Sequence, residues 1–286
     1  MNRDGRTGMR FISICVASAA LLAAAGVAAE PQPREGTDQL VMSLSHPGEP
    51  GVLMLQHHKG TVRVTGYDGE LVIVNASLRH GPPAGGKDGM RSLRGGSMRL
   101  HGLEKNNVIT ISTNSHERTI DLEIQVPLDF SLHLEKNDAG EIFVHRLSGE
   151  IDINSDTGDV SLTDISGSAI VSTLDGKIFA RFTRVTPFVP MAFTTASGDI
   201  DVMFPGGIDA SLMMRTDKGD ILTDFDIDIE GKKAEVETSE TTGIQRAVLE
   251  EWTHGVIGSG GPQFTFRSYQ GDIFIRKSGN LSREPK

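Results

Sequence analysis

Gly140, Gly149, Gly158, Gly167 and Gly176 follow one another at intervals of nine residues without a slip, and no other feature constrains the fold as tightly. The same unit returns at Gly198, Gly219 and Gly271. The second residue after each glycine is Ile142, Ile151, Val160, Ala169, Ile178, Ile200, Ile221 or Ile273, always aliphatic. The fourth is Val144, Ile153, Leu162, Val171, Ala180, Val202, Thr223 or Ile275. Residues between them, such as Asp152, Ser161 and Asp201, are often polar. Period-two alternation after a turn residue is a strand with one buried face.

Two such units make one coil. Polar turn residues precede Gly140, Gly158, Gly176, Gly198, Gly219 and Gly271, which lie 18, 18, 22, 21 and 52 residues apart. Each coil can bury its inward face only against neighbours, so the pattern predicts an all-β, parallel β-solenoid with coils of about 18–22 residues. An antiparallel β-sandwich also accommodates nine-residue strand-turn units. The last interval implies an excursion over residues 226–266, after which Ile273–Arg276 closes the stack. A less regular β segment precedes the repeat, with units at Gly60 and Gly69 and strands at Val108–Thr113 and Ile120–Val126. Residues 80–101 read as a glycine-rich loop holding Lys87, Arg91, Arg94 and Arg99. Ile244–Trp252 reads equally well as helix or strand.

Residues 1–29 have a basic start, the uncharged run Phe11–Val27 and the small residues Ala28 and Ala29, which is the pattern of a cleaved export signal. The expected organisation is a signal peptide (1–29), a linker (30–49), one β-repeat domain (50–277) and a tail (278–286). The sole cysteine, Cys15, lies within the leader, so the mature chain would have neither disulfides nor a thiolate site. The expected location is the periplasm or the cell surface. The net charge of −10 argues against a nucleic-acid partner.

The run Ile120-Asp121-Leu122-Glu123-Ile124-Gln125-Val126-Pro127 and the Gly-Asp-Ile steps at 198–200, 219–221 and 271–273 carry a resemblance. So does the stretch Ile257-Gly258-Ser259-Gly260-Gly261-Pro262. Over roughly residues 50–277 the chain resembles the bacterial β-strand-repeat domain of unknown function named for putative adhesins, a relative of the head GIN domain. That resemblance implies an exported, β-helical, non-enzymatic protein. It also opens a regulatory reading, since some members sit beside envelope-stress regulators. It supplies no catalytic residues.

The chain carries near misses to several catalytic motifs. Gly81–Asp88 lacks the hydroxyl and the following helix of a phosphate loop. His116-Glu117 lacks the second histidine of a zinc-protease helix. His57 and His58, adjacent on a strand, point to opposite faces. The residues after the turn glycines form an acidic column, Glu141, Asp159, Lys177, Asp199, Asp220 and Asp272, but the triple-glycine unit of calcium-binding β-rolls is missing. One tryptophan and two tyrosines offer few sugar platforms, which weakens both a glycan-active enzyme and a lectin. No catalytic, cofactor or metal residue is assigned.

The third position after each turn glycine should face outward. That column holds Phe143, Ser161, Phe179, Asp201, Leu222 and Phe274. Phe143, Phe179, Leu222 and Phe274 are large apolar residues on a face expected to be solvated. Either the excursion at 226–266 or the segment before residue 127 covers them, or they form a strip for an envelope protein or a surface ligand.

Overall fold

The computed structural model describes residues 37–79, 100–113, 118–230 and 252–279. The expected leader, the basic loop over residues 80–99, the His116-Glu117 pair, most of Ile244–Trp252 and the last seven residues lie outside them.

Every regular element among the described residues is a strand. In chain order these are β1 (Thr37–Ser43), β2 (Gly51–His57), β3 (Val62–Tyr67), β4 (Leu71–Leu78), β5 (Leu100–Lys105), β6 (Val108–Thr113) and β7 (Ile120–Pro127). Then follow β8 (Phe130–Lys136), β9 (Ile142–His145), β10 (Glu150–Thr157), β11 (Val160–Asp175), β12 (Ile178–Val185), β13 (Met191–Ser197) and β14 (Ile200–Phe204). The series ends with β15 (Ala210–Thr216), β16 (Ile221–Thr223), β17 (Ile227–Glu230), β18 (Thr253–Ile257), β19 (Gln263–Gln270) and β20 (Ile273–Lys277).

These strands form a β-solenoid of two facing sheets. The front sheet runs β7-β3-β9-β11-β12-β14-β20-β16, every neighbour parallel. The back sheet runs β6-β2-β8-β10-β11-β13-β19-β15, again all parallel. Antiparallel strands finish the stack: β4 and β1 extend the front sheet beyond β7, and β5 lies beside β6. At the other end β18 and β17 continue the back sheet past β15. Thr37–Ser43, placed in a linker by the sequence, is therefore a paired strand. β11 passes from the front sheet to the back sheet at Gly167, where a Cβ would lie 2.0 Å from the Gly149 carbonyl oxygen.

Two aspects differ from a stack built in sequence order. The C-terminal coil β19–β20 does not close the stack; it is inserted between β13–β14 and β15–β16. The N-terminal coil β2–β3 is likewise held between β6–β7 and β8–β9. Both outermost coils are thus supplied by segments from further inside the chain. The reason lies in exposure. An edge coil leaves one face of its ladder unpaired, and here short or antiparallel strands take that place. Thr223 and Ile221 in β16 show the effect, being exposed and partly buried, while their counterparts in the interior coils are buried.

The inward positions of both sheets build one core. Ile142, Val144, Ile151, Ile153, Ile178, Ile200, Val202, Ile273 and Ile275 are each no more than 1% exposed. Burying such a side chain is worth about 1.5–3 kcal/mol, so the alternation fixes which face turns in. Toward the C-terminal end the wider coils are filled by phenylalanines. Phe204 stacks on Phe182 and Phe264 at 5.3 and 5.2 Å, and Phe266 stacks on Phe193 at 5.5 Å.

A polar ladder also runs inside the solenoid. Register places Thr113, His57, Lys136, Ser155, Thr173, Thr195 and Ser268 side by side at the corner where back strands turn to the front, all buried. The hydroxyls of Thr195, Ser268 and Thr216 donate to the carbonyls of Gly176, Gly198 and Gly271 at 2.8–3.0 Å. Lys136 Nζ donates to the carbonyls of Asp138 and Thr157. These bonds satisfy turn carbonyls at the corner.

His57 is 2% exposed and pairs through Nδ1 with Thr113 Oγ1 at 2.9 Å. Burial, and then the neighbouring Lys136 charge, pushes its pKa down to about 4. The native state therefore stays unprotonated where the unfolded chain, with a pKa near 6.5, takes up a proton. Stability falls as pH drops from about 6.5 to about 4, by about 3 kcal/mol in all. Urea unfolding of the native protein and of His57→Gln at both pH values checks this. Equal pH slopes for the two proteins would refute the assignment to His57.

Candidate functional site

On the front sheet, parallel register carries one outward row across the stack: Glu123, Arg63, Phe143, Ser161, Phe179, Asp201, Phe274 and Leu222. All four residues of the expected strip lie in it. Phe143, Phe179 and Phe274 are half-buried, and Leu222 is 47% exposed. Among the described residues no strand of the excursion or of the segment before residue 127 is layered over the row, although one side chain of that segment, Arg63, lies on it. The described part of the excursion, β17, β18 and the residues up to β19, belongs to the back sheet. From the segment before residue 127, Arg63 stacks its guanidinium 4.5 Å above the Phe143 ring. At the other end Arg276 lies 4.8 Å from the Phe274 ring centre and 3.2 Å from Asp201.

Arg63 was legible, because it stands three residues after Gly60 as Phe143 does after Gly140. Burial raises the Asp201 pKa above the usual carboxylate range, with Arg276 opposing the shift. The strip is therefore three aromatic ridges separated by two troughs, one floored by Ser161 and the other by Asp201. Such a surface offers apolar contact area with a few fixed polar groups.

Two charged rows flank the ridges. On the turn side lie Glu141, Asp159, Lys177, Asp199, Asp272 and Asp220. Their carboxylates do more than face solvent. Asp159 accepts the Lys177 backbone N–H at 2.8 Å, Asp199 that of Asp272 at 3.1 Å, and Asp272 that of Asp220 at 2.9 Å. Lys177 Nζ also bonds Asp199 at 2.9 Å, which holds that carboxyl below its usual range. Asp159, Asp199 and Asp272 thus each tie their coil to the next one. On the opposite flank a bulge in β11 turns Asp164 outward with φ 56°, and Arg181 pairs with it at 2.7 Å.

Among the described residues no group of three or more His, Cys, Asp and Glu is placed to hold a metal ion. His57 faces the interior and His58 does not. Three acids of the column, Asp159, Asp199 and Asp272, are already engaged as backbone caps, so adding chelator is expected to leave the melting temperature unchanged within about 1 °C. A calcium-dependent rise of several degrees would show that a bound ion stabilises the native state instead.

The profile of the family described as Toastrack DUF4097 matches residues 92–249, more than half of the chain. The chain belongs to that family. The β-strand-repeat resemblance carried by the Gly-Asp-Ile steps is thereby confirmed. The matched span of this Toastrack chain begins after β2–β3 and stops before β19–β20, so both inserted coils lie outside it. Among solved structures, a putative cell adhesion protein from Clostridium sporogenes is similar at 10% identity with a TM-score of 0.47, covering 85% of this chain and 99% of its own. A putative adhesin from Bacteroides fragilis is similar at 10% identity with a TM-score of 0.41, covering 86% and 99%. Likeness at that level says nothing of what the Toastrack chain binds. No curated protein matches it. No helix among the described residues is long and apolar enough to cross a membrane.

Proposed function

We propose that this Toastrack chain is an exported, non-enzymatic module of the cell envelope that works by binding or scaffolding through the outer face of its front sheet. One observation carries the reading: Phe143, Phe179, Phe274 and Leu222 stand in register on an outer face that no described strand covers. Aromatic side chains grouped on a rigid sheet are the usual anchors of interfaces, because their ordering costs little entropy. A sensor or regulatory domain would use the same face with a single envelope protein as partner. A glycan-active enzyme would need two carboxylates flanking a scissile bond, and three of the acids beside the strip, Asp159, Asp199 and Asp272, each accept a backbone N–H.

The experiment uses the chain from Glu30 onward with whole cells and isolated envelope of the producing organism. Phe179→Ser is expected to weaken binding by about tenfold or more while shifting the melting temperature by less than about 2 °C. Undiminished binding would remove the strip from the reading. Mass spectrometry of the exported protein should place its first residue at Glu30. Turnover on a polysaccharide panel, lost on one Asp or Glu substitution, would overturn the non-enzymatic assignment.

A further inference from the structure

The row of ridges has a period, and the period selects a ligand. Phe143 and Phe179 lie on strands separated by one intervening strand, as do Phe179 and Phe274. Parallel strands repeat at about 4.8 Å, so successive ridges are about 9.6 Å apart and so are the two troughs. A polyproline II helix advances about 9.3 Å per three-residue turn and presents the same side to a surface once per turn. An α-helix returns every 5.4 Å or so and misses the third ridge by about 2.4 Å, while an extended strand returns about every 6.7 Å and misses the second ridge by about 2.9 Å. Charge selects further. The turn-side flank carries Glu141, Asp159, Asp199, Asp272 and Asp220 against Lys177 alone. On the opposite flank Arg181 and Arg276 are paired with Asp164 and Asp201.

We propose that the front-sheet face takes a proline-rich, basic peptide segment in the polyproline II conformation, laid across the strands along the aromatic row. Residues i and i+3 of the segment sit in the troughs over Ser161 and Asp201. Residues i+1 and i+4 lean toward the acidic flank, where Lys or Arg meets the carboxylates. The third residue of each turn points to solvent. Binding then needs both the ring period and the sign of the flank. It also needs little ordering, since a polyproline II segment is already extended before it docks. The inference rests on the reading of this face as a binding surface and names its partner.

The test measures anisotropy of a fluorescein-labelled peptide of four Pro-Lys-Pro repeats titrated with the chain from Glu30 onward. Four Gly-Lys-Ser repeats keep the charge and remove the conformation; four Pro-Glu-Pro repeats keep the conformation and reverse the charge. Both controls are expected to bind at least about tenfold more weakly than the Pro-Lys-Pro peptide. Phe179→Ser and, separately, Phe143→Ser should each weaken the Pro-Lys-Pro complex by a similar factor, with melting curves confirming that the variants fold. Equal binding of the Gly-Lys-Ser peptide, no binding of any peptide, or unchanged binding by both variants would overturn the proposal. So would Phe179-dependent binding of a β-1,4-linked oligosaccharide in place of peptide. If Phe179→Ser abolishes binding to cells while no prolyl peptide binds, the peptide assignment fails and the binding face stands. If cell binding is also unaffected, both fail.

Discussion

Gly158→Val is expected to abolish the folded state. A Cβ at Gly158 would lie 2.0 Å from the Gly140 carbonyl oxygen in the adjacent coil. The same relation repeats along the stack. The Cβ positions of Gly60, Gly140, Gly176, Gly198, Gly271 and Gly219 all lie within 2.2 Å of a backbone oxygen in the next coil. Each glycine thus leaves the room its neighbour's carbonyl occupies. The coils cannot separate to admit a side chain, because strands pair on both sides of Gly158. Backbone conformation adds to the cost there, since φ is +114°. A loss of about 4 kcal/mol or more is anticipated, comparable with the whole stability of many domains.

Positive φ is not the general explanation, however. Of the eight repeat glycines only Gly140, Gly158, Gly198 and Gly271 adopt it. Gly219 does not, and its valine variant should fail through contact with the Gly271 oxygen at 2.1 Å alone. Gly207, with nothing within 4 Å of its Cβ position, should tolerate alanine with little change. Circular dichroism melts of the three variants check the set. A Gly158→Val protein melting within a few degrees of the native one would sink the stacking account.

Phe204→Ala should cost about 3–5 kcal/mol. Phe204 is fully buried and touches three other rings: Phe182 at 5.3 Å, Phe264 at 5.2 Å and Phe266 at 6.4 Å between centroids. Phe264 and Phe266 belong to the inserted coil β19–β20, so the ring ties that coil to β14. Truncation leaves a cavity lined by phenyl groups that cannot collapse, because each is fixed by its own strand. Urea denaturation measures the loss. A change below about 1 kcal/mol would mean that the coils relax into the space, contrary to a rigid stack.

Much of this architecture is legible in the sequence because it is local. A turn glycine followed by aliphatic residues at its second and fourth positions fixes both the corner and the inward face. The third position marked Phe143, Phe179 and Phe274 as outward, and they are. The order of the coils is not local. Nothing near Gly271 says that its strand pairs with Ile200 and Ile221 on either side. The polar ladder was visible but misleading. Ser155, Thr173, Thr195 and Ser268 stand three residues before a glycine, where hydroxyls ordinarily mark a solvated turn, and here they are interior. Thr195 and Ser268 are satisfied there by carbonyls of a neighbouring coil, which sequence spacing does not reveal, and Ser155 by the Thr157 carbonyl of its own strand. The acids after the glycines are legible as a column, but not that three of them cap the next coil's backbone.

The inserted terminal coils bear on how the module carries tension. A load carried by β20 meets β14, hydrogen-bonded on one side, and β16 on the other. Pulled along its length, β20 must slide past both ladders at once, breaking many bonds together. An edge strand at that position would peel away one bond at a time. From the opposite end, once β1 has left the edge, the pull meets β2 and β3 between two coils each. A protein tethered at one end in a cell envelope and gripping a partner through its front face would be mechanically clamped at both extremities.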